Sequence, residues 1–356
     1  MMKSFDVFSG IGGITHGLRG VARPVAYCEN DEFCRSVLER LMREDKIPRG
    51  PILGDVRGVT AGDVGEKIDI LVGGSPCVGF SMAGKRRGLR DEESGLYAEF
   101  SRLARELRPD HVFFENVSAL VQSEDFAKIL RDFADMGYES RWTTVRASDV
   151  GAPQKRRRVF LLASKSGPPP RAEPPPDPHD WSAEPCRRMT ALDPSSRKKF
   201  KALGNAAVPD QVAAAYAWLS RTWLSRTWLS RTWSERAPGT PRWDGACDVR
   251  GALYVCPPFP VASPSPRIEI LLDPRAFDMP SKPRNTLPRL DRPTTRDAWG
   301  TPRSSFVNAN AVLTARAAKD LPTQLRFERD TPDEDRGLHP NPEWIAWLQG
   351  FPEGWV

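Results

Sequence analysis

Residues 68–81 read IDILVGGSPCVGFS, a short apolar run that leads directly into a glycine-rich loop. A short apolar run that ends at glycines is typical of a buried strand whose carboxyl end opens onto a loop. Cys77 lies in that loop beside a proline, whereas a cysteine kept for packing would lie within the apolar run. The segment therefore predicts a strand that presents a thiol at the edge of a sheet.

Similar apolar runs recur through residues 4–163 and alternate with helical patterns. The predicted strands are residues 4–8, 24–28, 68–72, 111–115, 139–145 and 159–163. The helices predicted between them include residues 33–43, 96–107 and 125–136. Strands separated by helices require crossover connections, so the pattern predicts an α/β fold with a doubly wound, mostly parallel sheet.

The composition is that of a soluble globular protein, with 39% apolar and 28% charged residues in a chain of 356. No apolar run is long enough to span a membrane and no leader precedes the first strand, so we expect a cytoplasmic protein without a membrane partner. The six cysteines lack C-x-x-C spacing and there are four histidines, which argues against a metal site or a disulfide framework. The net charge of +6 is compatible with a nucleic-acid partner but does not require one.

The segment DVFSGIGG at residues 6–13 follows the first strand and opens a helix. Glycines at this place, here Gly10 and Gly12, let a ligand approach the backbone. Glu29 ends the second strand, where an acid commonly accepts from ribose hydroxyls, and Asp55 is a candidate acceptor for an adenine amino group. No phosphate-binding lysine is present, so a nucleoside ligand without phosphates, such as S-adenosylmethionine, fits this end. The alternative is that these residues form turns and helix caps only.

Polar residues also accompany two later strands. Glu115 follows two phenylalanines, and burial there would raise its pKa and let it hold a proton. Arg156 and Arg158 share one face if the following segment is extended. Taken separately, such residues are often a cap and a solvated face. Together with Cys77, we expect them at the carboxyl ends of neighbouring strands, as a nucleophile, a proton-holding group and clamps for a carbonyl or anion.

In this order the motifs closely resemble those of cytosine-5 DNA methyltransferases of phage and bacterial type. The matching segments are residues 6–13, 74–81, 115–117, 154–158 and 204–209, and the resemblance extends over residues 4–219. It implies the S-adenosylmethionine-dependent methyltransferase fold, related to the Rossmann fold, with a smaller, loop-rich recognition domain. It also implies methyl transfer from S-adenosylmethionine to C5 of cytosine in double-stranded DNA.

The family resemblance assigns a role to each matching residue. Cys77 would add to C6 of a flipped-out cytosine, Glu115 would hold N3 and the amino group, and Arg158 with Arg156 would bind the O2 side. Phe8 would stack on adenine. The full cofactor-binding set is Phe8, Gly10, Gly12, Glu29, Asp55, Pro76, Leu96 and Asn205. The basic residues Lys85, Arg86 and Arg87 would close a loop over DNA phosphates.

The chain departs from the family in the order of its last segments. Residues 341–356 resemble a helix and turn that relatives place before the Gly-Asn-x-x-Val-Pro segment, and Asn341 with Pro342 predicts the helix start. We therefore expect a permuted order, with the chain end close to residues 186–193. The predicted divisions are residues 1–166 (catalytic and cofactor-binding), 167–189 (proline-rich linker), 190–219 (cofactor-closing segment and helix), 220–236 (spacer), 237–340 (target recognition) and 341–356 (docking helix and turn).

Several alternatives remain at the level of sequence. The pentapeptide WLSRT occurs three times in tandem from Trp218, and we interpret it as a duplicated spacer rather than an aromatic strip for nucleic-acid stacking. One branch of the family methylates tRNA, and a displaced tail is also compatible with an inactive DNA-binding relic. We expect a monomer, because one flipped base needs one active site, with a cognate restriction endonuclease as a possible functional partner that is not physically bound.

Overall fold

The computed structural model describes residues 1–76, 96–154, 156–172, 178–182, 185–186, 189–191, 193–221, 246–249, 252–255 and 339–356. The main feature of these residues is a seven-stranded sheet of order β3-β2-β1-β4-β5-β7-β6. Its strands are β1 (Met2–Val7), β2 (Ala22–Cys28), β3 (Ile52–Leu53), β4 (Ile70–Gly73), β5 (His111–Val117), β6 (Glu139–Arg146) and β7 (Arg157–Ser164). Two further pairs join β8 (Met189–Thr190) to β11 (His339–Pro340) and β9 (Ala246–Val249) to β10 (Ala252–Val255).

Strands β1 to β5 run parallel to one another. The chain passes outward from β1 to β3 and then returns to place β4 on the other side of β1. Sheets of this kind bind ligands outside the carboxyl ends of the strands, at the point where the strand order reverses. The crevice at the carboxyl ends of β1 and β4 is therefore the expected binding site.

Strand β7 runs antiparallel to both of its neighbours, and Arg158 lies opposite Val117 of β5. The prediction that the arginines lie at the carboxyl end of a strand is therefore wrong, because they lie at the amino end of β7. Since β7 is reversed, this end still meets the edge at which β4 and β5 finish. The reversal brings the arginines to the predicted crevice, where a parallel strand would have taken them to the opposite edge.

Helices cover both faces of the sheet. They are α1 (Gly13–Gly17), α2 (Glu32–Arg43), α3 (Tyr97–Leu107), α4 (Glu124–Asp135), α5 (Ser196–Asn205), α6 (Pro209–Arg221) and α7 (Pro342–Leu348). Apolar side chains of α3 and α4 pack on one face, and those of α1 and α6 pack on the other. A third apolar cluster joins α2, α5 and α7 beside β2. Central strand β4 is buried along its whole length, as expected for a strand covered on both faces.

The chain end packs against the sheet domain. Asn341 Oδ1 accepts from the amide of Glu343 at 3.0 Å, with Pro342 in the first turn, which confirms the predicted helix start. Asn341 Nδ2 donates to Cys186 Sγ at 3.4 Å, and β11 pairs with β8. Val356 packs against the same apolar cluster as Cys186. The tail therefore lies beside the residues that precede α5.

The described part of the proline-rich stretch runs along the domain. The carbonyl of Pro170 accepts from Tyr216 Oη at 3.0 Å, and the amide of His179 donates to Asp210 Oδ2 at 2.9 Å. Trp181 Nε1 donates to the carbonyl of Trp347 at 3.1 Å. These contacts hold the stretch against α6 and α7, so the described part of the predicted proline-rich linker packs on the sheet domain.

Some predicted features lie outside the described residues. They are Cys77, the basic residues Lys85, Arg86 and Arg87, the repeat beyond residue 221 and most of the predicted recognition domain at 237–340. Among the helices of the described ranges, none has both the length and the apolar character needed to cross a membrane.

Candidate active site at the carboxyl edge of the sheet

The loop after β1 turns tightly at two glycines. Gly10 and Gly12 have φ angles of 54° and 83°, in the left-handed region that glycine adopts without strain. The amide of Gly12 donates to the carbonyl of Ser9 at 2.9 Å, which closes the turn. A Cβ added at Gly10 would meet no heavy atom of the described residues within 4 Å. Half-buried Phe8 precedes this loop and packs against the apolar core, so bare backbone at Gly10 follows an aromatic residue.

Glu29 lies directly after β2 and faces this loop. Its Oε2 accepts from the amide of Gly10 at 2.7 Å, and its Oε1 accepts from the amide of Asp31 at 2.8 Å. Burial raises the pKa of Glu29, while these backbone hydrogen bonds oppose the rise. Each carboxylate oxygen has a second lone pair, so Glu29 can still accept from a diol while it holds the loop.

Asp55 follows β3 at the same edge and caps a short 3-10 helix. Its carboxylate accepts from the amide of Arg57 at 3.0 Å and pairs with the Arg57 guanidinium at 2.5 Å. These hydrogen bonds lower the pKa of Asp55 to about 2. Asp55 is therefore an ionised acceptor after β3, although the Arg57 guanidinium already takes up part of its hydrogen-bonding capacity.

Glu115 and Arg158 form a buried ion pair across β5 and β7. Arg158 Nε lies 3.0 Å from Glu115 Oε1, and the two side chains are 15% and 11% exposed. Burial raises the pKa of Glu115, and the charges of Arg158 and Arg156 oppose the rise. The structure thus brings together two of the predicted catalytic residues, in an environment that favours a proton on the acid.

Gly74 lies in the loop that leads to Cys77 and packs directly against Glu115. A Cβ at position 74 would lie 2.7 Å from Glu115 Oε2 and 3.0 Å from the Glu115 carbonyl oxygen, so a larger residue would collide with the acid. Asn116 Nδ2 donates to the carbonyl of Ser75 at 3.2 Å and holds the same loop. Gly74 and Asn116 belong to the motifs quoted from the sequence, but their spacing alone assigned them no role.

Arg156 has a different environment from Arg158. It is 1% exposed, and its guanidinium donates to the Gly204 carbonyl at 3.1 and 3.2 Å and to the Ala206 carbonyl at 2.6 Å. These carbonyls belong to the Gly-Asn-x-x-Val-Pro segment. The geometry therefore makes Arg156 a residue that holds this segment against the sheet, in place of the predicted contact with substrate.

The remaining predicted cofactor residues lie around the same edge. Pro76 is half-buried at the end of the described part of the thiol loop, and half-buried Leu96 precedes α3. Asn205 is the exposed last residue of α5, next to the segment that Arg156 holds. A Cβ at Gly13 would lie 2.4 Å from the Ala207 carbonyl oxygen, so this segment also packs directly on the glycine loop.

Gln154 belongs to the motif at residues 154–158 and supports the site through a contact with the chain end. It is fully buried, and its Nε2 donates to the carbonyl of Leu348 at 2.8 Å. The bond ties the segment before β7 to helix α7. Only the position of the tail in space discloses this contact, because almost two hundred residues separate the partners in the sequence.

Comparison with known proteins identifies the family of this chain. The family model for C-5 cytosine-specific DNA methylase matches residues 2–217. The type II methyltransferase M.CviJI of Paramecium bursaria Chlorella virus IL3A is 30% identical over 374 aligned positions, which cover 99% of this chain and 97% of the viral protein. M.NgoMIV of Neisseria gonorrhoeae is 38% identical over 167 positions, 46% of this chain and 52% of that protein. The bacterial match thus covers about half of each protein.

Solved structures show a more distant likeness. A DNMT2 mutant from Spodoptera frugiperda is 19% identical, with a TM-score of 0.42 over 56% of this chain and 64% of that one. The family model and the full-length viral relative together decide the classification. The chain belongs to the C-5 cytosine-specific DNA methylase family, whose members take the methyl group from S-adenosylmethionine.

Proposed function

We propose that the protein methylates C5 of cytosine in double-stranded DNA through a covalent bond between Cys77 and C6 of a flipped-out base. The observation that carries this proposal is the buried pair of Glu115 and Arg158, which lies against Gly74, three residues before Cys77 in the sequence. A proton-holding acid and a cation next to the loop of a thiol are what activation of a pyrimidine ring requires.

The glycine loop and its neighbours fit S-adenosylmethionine. No described residue fills the space at a Gly10 Cβ, which leaves room for the ligand, and the half-buried Glu29 offers carboxylate oxygens to ribose hydroxyls. Phe8 supplies a ring for the adenine, and Asp55 supplies an ionised acceptor. When bound, the donor supplies a methyl group on a positively charged sulfur.

The residues at the other side of the crevice prepare the cytosine. The Cys77 thiolate forms a bond to C6, and the electron pair of the C5–C6 double bond becomes available at C5 as Glu115 shares its proton with N3. Arg158 binds the O2 side and stabilises the negative charge that develops on the ring. C5 gains the methyl group as the methyl–sulfur bond breaks and its electron pair stays on sulfur. A base then removes the C5 proton, the S–C6 bond breaks, the double bond returns and Glu115 takes back the N3 proton.

Access to the base requires that it leave the duplex, at a cost of a few kcal/mol. We assign the loop with Lys85, Arg86 and Arg87 to the DNA phosphates beside the flipped base. Residues 237–340 would recognise the target sequence, inserted between α6 and the tail. The docking of α7 on the sheet domain supports this permuted order, because it returns the chain to the catalytic domain after the insertion.

Transfer of tritiated methyl groups tests the activity. Wild-type protein should label duplex DNA, while tRNA stays unlabelled and Cys77→Ala labels neither. Preferential labelling of tRNA would contradict the choice of substrate. A wild-type protein that binds duplex DNA and S-adenosylmethionine but labels no nucleic acid would be an inactive relic.

We also propose that the enzyme is a monomer that protects DNA from a cognate restriction endonuclease. The names of its relatives as type II methyltransferases support this role. Plasmid recovered from cells that express the protein should resist one group of restriction endonucleases with a shared cytosine-containing site. Light scattering should give the mass of one chain, and a stable dimer would contradict the proposed state.

A further inference from the structure

Trp355 contacts the glycine loop directly, although it is the last residue but one of the chain. Its indole Nε1 donates to the carbonyl of Ile11 at 2.7 Å, and the side chain is 1% exposed. Ile11 lies between Gly10 and Gly12, both of which have left-handed backbone. The hydrogen bond therefore fixes the middle of the turn.

The ring of Trp355 also packs on the loop and on α1. It lies 4.6 Å from the His16 ring and 5.4 Å from the Phe351 ring, between centroids. A Cβ at Gly12 would lie 3.8 Å from Trp355 Cζ2. Burial lowers the pKa of His16 to about 4, so His16 is neutral near neutral pH and its contact with the indole carries no buried charge.

Arg40 holds the backbone of the same turn from α2. Its Nη1 donates to the Gly354 carbonyl at 2.9 Å, and its Nη2 donates to the Trp355 carbonyl at 2.6 Å. Helix α2 begins at Glu32, three residues after the cofactor acid Glu29. The C-terminal turn is therefore fastened both to the glycine loop and to the helix that follows the ribose-binding acid.

We propose that the C-terminal turn, residues 349–356, orders the S-adenosylmethionine site through the glycine loop and that Trp355 is the positioning residue for that loop. This inference rests on the assignment of that loop to the methyl donor under the proposed function. Trp355 holds the Ile11 carbonyl and packs beside Gly12, so the turn acts on the donor through the position of the loop backbone. The last residues of the chain thereby set the affinity for the donor.

A matched pair of substitutions tests the proposal. Trp355→Phe keeps an aromatic ring and removes the hydrogen bond to Ile11. Trp347→Phe removes a comparable bond, from Nε1 to the Asp180 carbonyl at 3.3 Å, in the same apolar cluster. The Kd for S-adenosylmethionine, measured by calorimetry, should rise about fivefold in Trp355→Phe, the effect of one lost hydrogen bond, and should stay within about twofold in Trp347→Phe.

Hydrogen exchange of the ligand-free proteins gives a second readout. The amides of residues 10–13 should exchange faster in Trp355→Phe than in wild type or Trp347→Phe. Equal Kd values and equal exchange in the two variants would overturn the role of Trp355. Wild-type protein that fails to bind the donor would contradict the proposed function instead, and the exchange rates would still decide whether Trp355 orders the loop.

Discussion

The chemistry that we propose depends on the balance of effects at Glu115. Burial favours the protonated acid, whereas Arg158, 3.0 Å away, favours the carboxylate. The net rise in pKa shows that burial dominates. Glu115 therefore remains a proton donor at a higher pH than an exposed glutamate does.

Glu115→Gln should lower kcat for methyl transfer by about 10²- to 10⁴-fold, because it removes a positioned acid and keeps the size of the side chain. In wild type the rate should fall as pH rises through the raised pKa and Glu115 loses its proton. This limb of the pH profile should be absent in the variant. Methylation rates measured across a pH series test both effects. A Glu115→Gln variant whose kcat lies within fivefold of the wild-type value, with the same pH profile, would contradict the role of Glu115 as proton donor.

Gly74→Ala should disturb the same acid through packing. The new Cβ would lie 2.7 Å from Glu115 Oε2, so the acid or the loop must move, at a cost of about 1–3 kcal/mol. Both the methyl-transfer rate and the melting temperature of Gly74→Ala should fall. Gly58→Ala is the control, because a Cβ there meets no heavy atom within 4 Å among the residues that the structure describes. Thermal unfolding of the two variants checks the prediction, and equal melting temperatures would argue against the close approach.

At the scale of elements, the apolar pattern located most strands and helices well. Strand β5 begins at His111 and helix α2 ends at Arg43, as predicted. The sequence does not indicate the direction of β7, because the alternation of side chains is the same in parallel and antiparallel strands. Strand β3 has two residues, Ile52–Leu53, too few for any pattern. The sequence predicts which residues form the candidate site. It does not predict that Arg158 pairs with Glu115 while Arg156 holds the Gly204 and Ala206 carbonyls, because this difference depends on the direction of β7.

Arg156→Met should destabilise the fold more than it impairs catalysis. It leaves the Gly204 and Ala206 carbonyls without their donor in the interior, which should cost about 3 kcal/mol and lower Tm by about 6–12 °C. Exposed Arg157 is the control, and Arg157→Met should change stability by less than about 0.5 kcal/mol. A variant with wild-type Tm and no measurable kcat would restore Arg156 to a direct contact with substrate.

At the scale of the whole molecule, the tail belongs to the catalytic domain. Helix α7 fills the cluster formed by α2 and α5, and its contacts reach back to Gln154 and to Leu203. The sequence predicts a docking helix, because Asn341 and Pro342 mark a helix start and apolar residues follow them. It could not give the partners, since contacts between residues so far apart in the chain leave no local pattern.

Trp344→Ala should therefore destabilise the catalytic domain, although residue 344 lies far along the chain. Its side chain is completely buried, and removal of a buried tryptophan costs about 3–5 kcal/mol. Scanning calorimetry should show the loss in the transition that S-adenosylmethionine stabilises. If that transition were unchanged, the tail would be an independent unit.

The central claim is that the thiol at position 77 attacks the pyrimidine ring, and trapping on duplex DNA that contains 5-fluorocytosine tests it most directly. Fluorine cannot leave C5 as a proton does, so the methylated adduct should persist. Wild type and Cys186→Ala, with S-adenosylmethionine, should give a denaturant-stable complex on a gel, and Cys77→Ala should give none. A stable complex with Cys77→Ala, or none with an active wild type, would contradict the account.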